Sequence, residues 1–382
     1  MNSTFIRIFS CLRIHYFLLL IYLIVNTSTA VAQSGDPVFD FAKQQFDDKL
    51  YLPAISSLKG YLARKPNDAN ALYLLAKCYS EIGDFTQANI TYEKVLKFKP
   101  KIFELYEDLG NNNKKQNKFD IAAQYYSQAL LLRDTSIRVI NNRGMCFYYM
   151  ENFEAAIRDF NKVIKLDSTF YVAYNNRGSS RYNNQNIADA SMVDLRMAEA
   201  DFNKCIKLQT DFQLAYRNRG IVRFYMDSLN ASYKDLWTAI QLDPNDANAH
   251  YYLGKTLYKQ NKYPVAIQFF DNAIKLVNYK SEMFLDRGIC KLEMADFDGA
   301  KEDFVMASLI NKQDPKISYH MARLYAAEDD KSGITFALRR AKELGLFVNT
   351  KYFTYINKDK YFANYLKDKD FMALIEELKW GK

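Results

Sequence analysis

Apolar and small residues recur along this chain with a period of 34 residues. In the period that starts at Ala69, positions 4, 7, 8 and 11 are apolar or small, and so are positions 20, 24 and 27. At about 100° per residue, each set falls on one face of a helix. A glycine occupies position 8 in six successive periods: Gly110, Gly144, Gly178, Gly220, Gly254 and Gly288. The pattern predicts a series of helix pairs that bury their apolar faces against one another.

The unit resembles the tetratricopeptide repeat through Leu72, Ala76, Tyr79, Ala88, Tyr92 and Pro100 at positions 4, 8, 11, 20, 24 and 32. The resemblance implies an all-α fold, a right-handed α-solenoid of about nine helix-turn-helix repeats with a short helical C-terminal cap. It also implies binding of proteins or peptides. We place the repeats at residues 35–68, 69–102, 103–136, 137–170, 171–212, 213–246, 247–280, 281–314 and 315–348, and the cap at 349–382. A partner-docking tail is the alternative to a cap.

Residues 1–32 have the pattern of a secretory signal peptide. Arg7 and Arg13 precede an apolar run at 17–25, and Ala30 and Ala32 give a small-x-small cleavage site. We expect cleavage after Ala32 and export to the periplasm or the cell exterior. A retained membrane anchor is the less favoured alternative, because a bilayer core needs roughly 20 apolar residues.

Charge and composition exclude several function classes. Removing the leader removes two arginines and no acidic residue, so the formal net charge falls from +8 to +6. Basic and acidic residues are interleaved, which disfavours nucleic acid as a partner. His250 and His320 lack a second ligand at metal-binding spacing, and the sequence has neither a Gly-x-Gly nor a Gly-x-Ser-x-Gly motif. We therefore expect no metal, no cofactor and no enzymatic activity.

The four cysteines that follow the leader are Cys78, Cys146, Cys205 and Cys290. Export and an even number of cysteines favour disulfides. The repeat geometry, however, places these residues on non-adjacent helices, beyond the roughly 7 Å between Cα atoms that a disulfide spans. We expect free, packed thiols.

Repeats four, five, six and eight share two charged positions that the other repeats lack. They carry arginine at position 7 and aspartate at position 23, which predicts four ion pairs: Arg143 with Asp159, Arg177 with Asp201, Arg219 with Asp235, and Arg287 with Asp303. Repeats five and six carry a second arginine at position 11, Arg181 and Arg223. A neighbouring carboxylate such as Asp189 or Asp194 is the expected partner of these, and an anionic ligand is the alternative.

One face of each first helix lies opposite the apolar face, and in the tetratricopeptide family this face lines a concave groove. In repeats four to seven the predicted groove residues are Asn141, Asn142, Met145, Tyr148, Tyr149, Asn175, Asn176, Tyr182, Arg217, Asn218, Phe224, Tyr225, Tyr251, Lys255 and Tyr258. Asn142, Asn176 and Asn218 all occupy position 6 and resemble an asparagine ladder that holds an extended peptide. A solvated face rich in Asn and Tyr is the alternative.

Repeat five is eight residues longer than the others. Met192, Leu195 and Ala198 continue the apolar stripe of its second helix towards the N-terminus. We predict that this helix starts about two turns early and exposes Met192 and Leu195. Local packing and a docking knob for a partner are the two interpretations.

Two functions fit these patterns. The first is an exported, non-enzymatic scaffold or adaptor that binds an extended segment of a partner protein in the groove. The alternative is a fixed structural component of a cell-envelope assembly, docked through the solenoid edge or the C-terminal tail. The sequence does not identify the partner.

Overall fold

The computed structural model describes residues 36–183, 191–346 and 356–380, and every regular element in these ranges is helical. The predicted signal peptide, its cleavage site after Ala32 and the carboxylate of Asp189 lie outside the described residues. The chain divides at residue 134 into two compact units. Each unit is a solenoid of antiparallel helix pairs in which consecutive helices pack side by side.

The first unit contains three helix pairs. Their helices are α1 Pro37–Asp47, α2 Tyr51–Arg64, α3 Ala69–Glu81, α4 Phe85–Phe98, α5 Phe103–Lys115 and α6 Phe119–Leu132. The second unit contains six further pairs: α7 Ile137–Tyr149, α8 Phe153–Leu166, α9 Tyr171–Asn183, α10 Met192–Leu208, α11 Gln213–Tyr225, α12 Leu229–Leu242, α13 Ala247–Lys259, α14 Tyr263–Leu276, α15 Ser281–Glu293, α16 Phe297–Ile310, α17 Pro315–Ala327 and α18 Lys331–Glu343. Odd numbers are therefore the first helices of their repeats, and even numbers the second.

A single residue with positive φ ends most first helices. It stands at position 15 and is a glycine in repeat two, Gly83, with φ of 80°. In repeat eight the same position is Ala295, with φ of 60°. The reversal then places an aspartate or asparagine, such as Asp84 or Asn152, where its side chain accepts a hydrogen bond from the backbone of the next helix. The turn and the N-terminal cap together orient the second helix antiparallel to the first.

The small residue at position 8 allows the two helices of a repeat to approach closely. A Cβ atom on Gly254 would lie 2.8 Å from Cε1 of Phe270, and one on Gly220 would lie 2.7 Å from Cγ of Leu236. Both facing side chains are fully buried. The apolar face of each second helix therefore packs directly on the backbone of the first.

The insertion of repeat five lengthens α10 less than the sequence predicts. This helix has 17 residues, three more than α8 or α12, so it starts about one turn early. The predicted two turns are therefore wrong. Met192 is exposed as predicted, but Leu195 is buried in one cluster with Tyr182 and Phe202. Residues 184–190 lie outside the described ranges.

Beyond the last pair, the described part of the C-terminal region contains a 3-10 helix, Ala363–Lys367, and a final helix, α19 Lys369–Trp380. Ile356, Phe362 and Leu374 are buried in one cluster with Ala337 and Leu338 of α18. This segment therefore covers an apolar side of the last helix pair.

The cysteines at 78, 146, 205 and 290 are buried thiols rather than disulfides, as the repeat geometry predicts. Burial raises the pKa of Cys78 to about 11 and that of Cys205 to about 12. Both thiols therefore stay protonated at neutral pH. None of the helices in the described ranges is both long and apolar enough to cross a membrane.

Two glycine substitutions should have opposite effects on stability. Gly254→Ala pushes a methyl group into Phe270 and should cost about 1–3 kcal/mol. The matched control is Gly60→Ala in α2, where no atom beyond the adjacent residues and the nearby backbone of α2 itself lies within 4 Å of the added Cβ. It should stabilise by about 0.4–1 kcal/mol, because alanine restricts the unfolded chain. Thermal unfolding of both variants measures the difference. A shift of the two melting temperatures in the same direction would contradict close packing at position 8.

Candidate functional site

The four arginines at position 7 pair with the second helix of their own repeat. Arg143 on α7 donates from Nε and Nη2 to the two carboxylate oxygens of Asp159 on α8, at 2.8 and 2.7 Å. A planar guanidinium fits a carboxylate in this two-bond arrangement. The other pairs have the same geometry: Arg177 with Asp201, Arg219 with Asp235, and Arg287 with Asp303. All four carboxylates are buried, so loss of an arginine alone would leave an uncompensated charge.

Three of these arginines also bind the preceding repeat. Their Nη1 atoms donate to a residue at position 25 of that repeat, with distances of 2.6 to 2.7 Å: Arg177 to Asn161, Arg219 to Asn203, and Arg287 to Asp271. The arginines therefore join neighbouring repeats as well as the two helices of one repeat.

The second arginine of repeat five shares the carboxylate of the first. Nη1 of Arg181 lies 2.6 Å from Asp201, which already accepts two bonds from Arg177. The predicted partner Asp194 instead accepts a hydrogen bond from Ser191 at the start of α10. The carboxylate of Asp201 therefore serves both arginines of the repeat, in place of the Asp194 that we expected.

The second arginine of repeat six has two carboxylate partners. Arg223 donates to Glu199 on α10 at 2.7 Å and to Asp235 on α12 at 2.8 Å. Because both position-11 arginines are paired with carboxylates inside the chain, the contacts favour a structural role over an anionic ligand.

Asparagines at positions 5 and 6 bind one another across successive first helices. Asn176 on α9 donates to Asn141 on α7 at 3.3 Å, and Asn218 on α11 donates to Asn175 on α9 at 3.0 Å. Asn218 also donates to Ser179 and is only 4% exposed. The outward orientation that the sequence pattern predicts for Asn176 and Asn218 is therefore wrong.

The hydrogen bond between consecutive first helices recurs with other side chains. In the first unit the Tyr73 hydroxyl donates to Asp108 at 2.7 Å, and in the second unit Tyr251 donates to Asp286 at 2.7 Å. Position 5 of one repeat thus binds position 6 of the next. The sequence carries a signal for this, which our reading missed: complementary polar residues 35 positions apart, or 43 across the insertion.

Burial divides the predicted groove residues into two sets. Six are buried: Asn175, Asn176, Tyr182, Asn218, Phe224 and Tyr251. Nine are half-buried or exposed: Asn141, Asn142, Met145, Tyr148, Tyr149, Arg217, Tyr225, Lys255 and Tyr258. The accessible part of this face is therefore mainly aromatic and basic rather than amide-rich.

The tyrosines form a line of hydroxyl groups across α7, α9, α11 and α13. Tyr148 accepts a hydrogen bond from Asn183 at 3.0 Å, and the hydroxyl oxygens of Tyr225 and Tyr252 lie 3.5 Å apart. Burial, followed by the neighbouring tyrosines, raises the pKa of Tyr148 to about 12. Burial also raises the pKa of Tyr252. The hydroxyls of Tyr148 and Tyr252 therefore stay protonated at physiological pH and are available as donors and acceptors.

Arg217 lies beside this line of tyrosines. Its positive charge acts to lower the pKa of both Tyr148 and Tyr182, although burial raises both overall. Nη1 of Arg217 donates to Asp246 at 3.1 Å and Nε donates to Asn218 at 3.3 Å. Its Nη2 forms no hydrogen bond with any residue in the described ranges. One guanidinium donor group is therefore left for a partner.

A second cation lies on the same face two helices further on. The Nζ atom of Lys255 lies 5.2 to 5.7 Å from the ring centroids of Phe224, Tyr251 and Tyr252. It also lies 3.7 Å from Asp286. The aromatic rings hold the ammonium group by cation–π attraction at a partly exposed position.

No group of three or more histidine, cysteine or carboxylate side chains in the described part of the chain could hold a metal ion. A ring nitrogen of His250 lies 3.0 Å from the carbonyl oxygen of Pro244. Burial, followed by the charge of Arg323, lowers the pKa of His320 well below its ordinary value. His320 is therefore neutral at physiological pH.

Models of known families match four parts of the chain. Those described as "Tetratricopeptide repeat" match residues 46–109, 137–170 and 247–278, and one described as "TPR repeat" matches residues 222–261. Among curated proteins, the chain is 29% identical over 124 residues to U-box domain-containing protein 70 of Oryza sativa subsp. japonica. It is 26% identical over 102 residues to Hsp70-Hsp90 organizing protein 3 of Arabidopsis thaliana. These matches span 32% and 27% of this chain but only 14% and 18% of the relatives.

Solved structures share the fold at low sequence identity. A tetratricopeptide repeat protein from Parabacteroides merdae matches with a TM-score of 0.52 and 18% identity, covering 64% of this chain and 93% of that one. The Cut9–Hcn1 hetero-tetramer of the APC/C matches with a TM-score of 0.53 and 14% identity, covering 85% of this chain and 58% of that one. Both likenesses show the fold alone.

Replacing Asn142, Asn176 and Asn218 together by alanine should destabilise the protein. The change leaves the buried amide of Asn175 and the hydroxyl of Ser179 without their Asn218 partner, which should cost at least ~2 kcal/mol in total. Urea unfolding measures the loss. The control, Asn272→Ala at an exposed position of α14, should change stability by less than ~0.5 kcal/mol. A triple variant as stable as this control would show that the amides do not join the repeats.

Proposed function

Because the chain belongs to the tetratricopeptide repeat family, whose members are typically non-catalytic scaffolds for protein–protein interaction, we propose that it is an adaptor that binds an extended segment of a partner protein. The binding surface is the accessible face of the first helices in repeats four to seven. Its polar groups include the tyrosine hydroxyls, Arg217 and Lys255, because Asn176 and Asn218 of the predicted ladder are engaged between repeats.

The free guanidinium donor of Arg217 is the observation that carries this proposal. The side chain is partly exposed, and two of its three nitrogens are held by Asp246 and Asn218. The remaining Nη2 can donate to a backbone carbonyl or a carboxylate of the partner without any change in the fold. Tyr148 and Tyr225, in the same surface, offer hydroxyls that bond a peptide backbone whatever its sequence.

Aromatic side chains favour such a contact energetically. Tyrosine and arginine are enriched among residues that dominate binding energy. A tyrosine brings a large contact area at a low cost in side-chain entropy, because only two dihedral angles must be fixed. On this surface the rings are already held by one another, as in the edge-on packing of Tyr148 against Tyr149 at 5.6 Å between centroids. Little side-chain entropy is then lost on binding.

Site-specific photocrosslinking in the native host tests this proposal. A benzophenone amino acid in place of Tyr149, which is 53% exposed on α7, should crosslink to the partner. The same amino acid in place of Trp237, which is 43% exposed on the second helix α12, is the control and should give no specific product. Adding Arg217→Ala should reduce the Tyr149 product at least about tenfold, since a charged hydrogen bond contributes roughly 1.5–3 kcal/mol.

Arg158→Ala on the exposed surface of α8 is the matched control for the loss of an arginine and should leave the yield unchanged. Crosslinks from Trp237 but not from Tyr149 would contradict the proposal. That result would favour the fixed envelope component docked through the solenoid edge.

The cellular location of the protein is a second part of the proposal. The pattern of residues 1–32, two arginines followed by a short apolar run and a small-x-small site, supports export and cleavage after Ala32. Protein purified from the native host should then begin at Gln33. N-terminal sequencing of that protein reads the result directly, and a chain that still begins with the leader would contradict cleavage.

A further inference from the structure

Position 4 of the repeat is filled by a large side chain in repeats two to eight. In four repeats this side chain reaches the carbonyl oxygen six residues earlier: Tyr106 to Pro100 at 2.9 Å, Tyr174 to Ser168 at 3.2 Å, Tyr216 to Thr210 at 3.0 Å, and His250 to Pro244 at 3.0 Å. The ring thus fills the space beside the connection between repeats and satisfies one of its backbone carbonyls.

Repeat nine breaks this rule. Its position 4 is Ser318, whose side chain is too short to fill that space. The carbonyl six residues earlier belongs to Lys312, and it accepts no hydrogen bond from any residue in the described ranges. A repeat that keeps the surrounding helices but lacks the ring should contain a cavity where the ring would lie.

The cavity is present. It has a volume of about 370 Å³ and is lined by both Ser318 and Lys312. Its inner wall is apolar and includes Phe304, Ile317 and Ala337, all of which are buried. An apolar cavity of about 150 Å³ is enough to hold a benzene ring in another protein, so this one has ample room for an aromatic side chain.

The mouth of the cavity is open and partly charged. Phe336 on α18 is 72% exposed beside it, and Leu309 on α16 is exposed on the opposite rim. Lys312 forms no ion pair with any described residue, and Arg340 pairs only with the exposed Glu343 in its own helix. Exposed apolar groups beside basic ones match a partner that is aromatic and flanked by acidic residues.

We propose that this cavity is a second binding site, which takes a tyrosine side chain from an acidic segment of a partner protein. The tyrosine ring occupies the place of the missing position-4 ring, and its hydroxyl donates to the carbonyl of Lys312. Lys312 and Arg340 attract carboxylates that flank the tyrosine in the partner. The site lies between α16, α17 and α18, and it does not depend on the face of repeats four to seven.

Binding of p-cresol, the small-molecule analogue of the tyrosine side chain, tests the site in the full-length protein. Protein-observed NMR should show p-cresol binding roughly threefold to tenfold more tightly than toluene, because only p-cresol can donate to the carbonyl of Lys312. Ser318→Tyr fills the cavity from within, so it should abolish p-cresol binding and raise the melting temperature by ~2–4 °C. Ser318→Ala, the matched control, should keep p-cresol binding.

Short peptides test the charge preference without altering the cavity. Acetyl-Glu-Tyr-Glu-amide should bind more tightly than acetyl-Lys-Tyr-Lys-amide, and Lys312→Glu, which leaves Arg340 in place, should remove that preference. Equal p-cresol binding by the wild type and Ser318→Tyr would overturn the site, as would equal binding of the two peptides. Concentration-dependent dimerisation that is lost in Ser318→Tyr would show that a second copy of this chain fills the cavity, which would overturn the assignment to a partner protein.

Discussion

Side-chain hydrogen bonds between consecutive first helices fix how these helices pack and which residues of their shared face stay accessible. A repeat cannot bury its own apolar surface, so each first helix must pack against the next in a fixed register. The bonds from Asn176 to Asn141 and from Asn218 to Asn175 fix that register with groups that are costly to leave unpaired once they are buried. Because these amides are engaged inside the stack, the proposed binding surface consists of the tyrosines and the basic residues around them.

The ion pairs between position 7 and position 23 also hold the helices together, and they do so on a different side of the first helix. Arg219 binds Asp235 with two of its nitrogens and Asn203 of the preceding repeat with the third. One side chain therefore connects three helices. A buried ion pair adds little net stability, but it penalises any register in which the charges are separated. The second unit thus combines apolar packing with polar contacts that select one arrangement.

The sequence predicts the helix pairs, the free thiols and the four arginine–aspartate pairs because each depends on short, repeated spacing. It did not lead us to the burial of Asn176 and Asn218, since that depends on where one repeat meets the next. The partner of Arg181 was missed for another reason, because the repeat pattern assigns Asp201 to Arg177 and this one carboxylate accepts hydrogen bonds from both arginines. The cavity at Ser318 could have been foreseen from the missing ring at position 4, but only once the bond from that ring to the preceding loop was known.

A double-mutant cycle between Asn175 and Asn218 tests most directly whether the amides hold the repeats together. The free energy of unfolding is measured by urea denaturation for the wild type, for each single alanine variant and for the double variant. The two residues are in contact at 3.0 Å, so the account predicts a coupling energy of about 0.5–1.5 kcal/mol. Strictly additive losses would contradict it, because they would mean that neither amide depends on the other for its contribution to the fold.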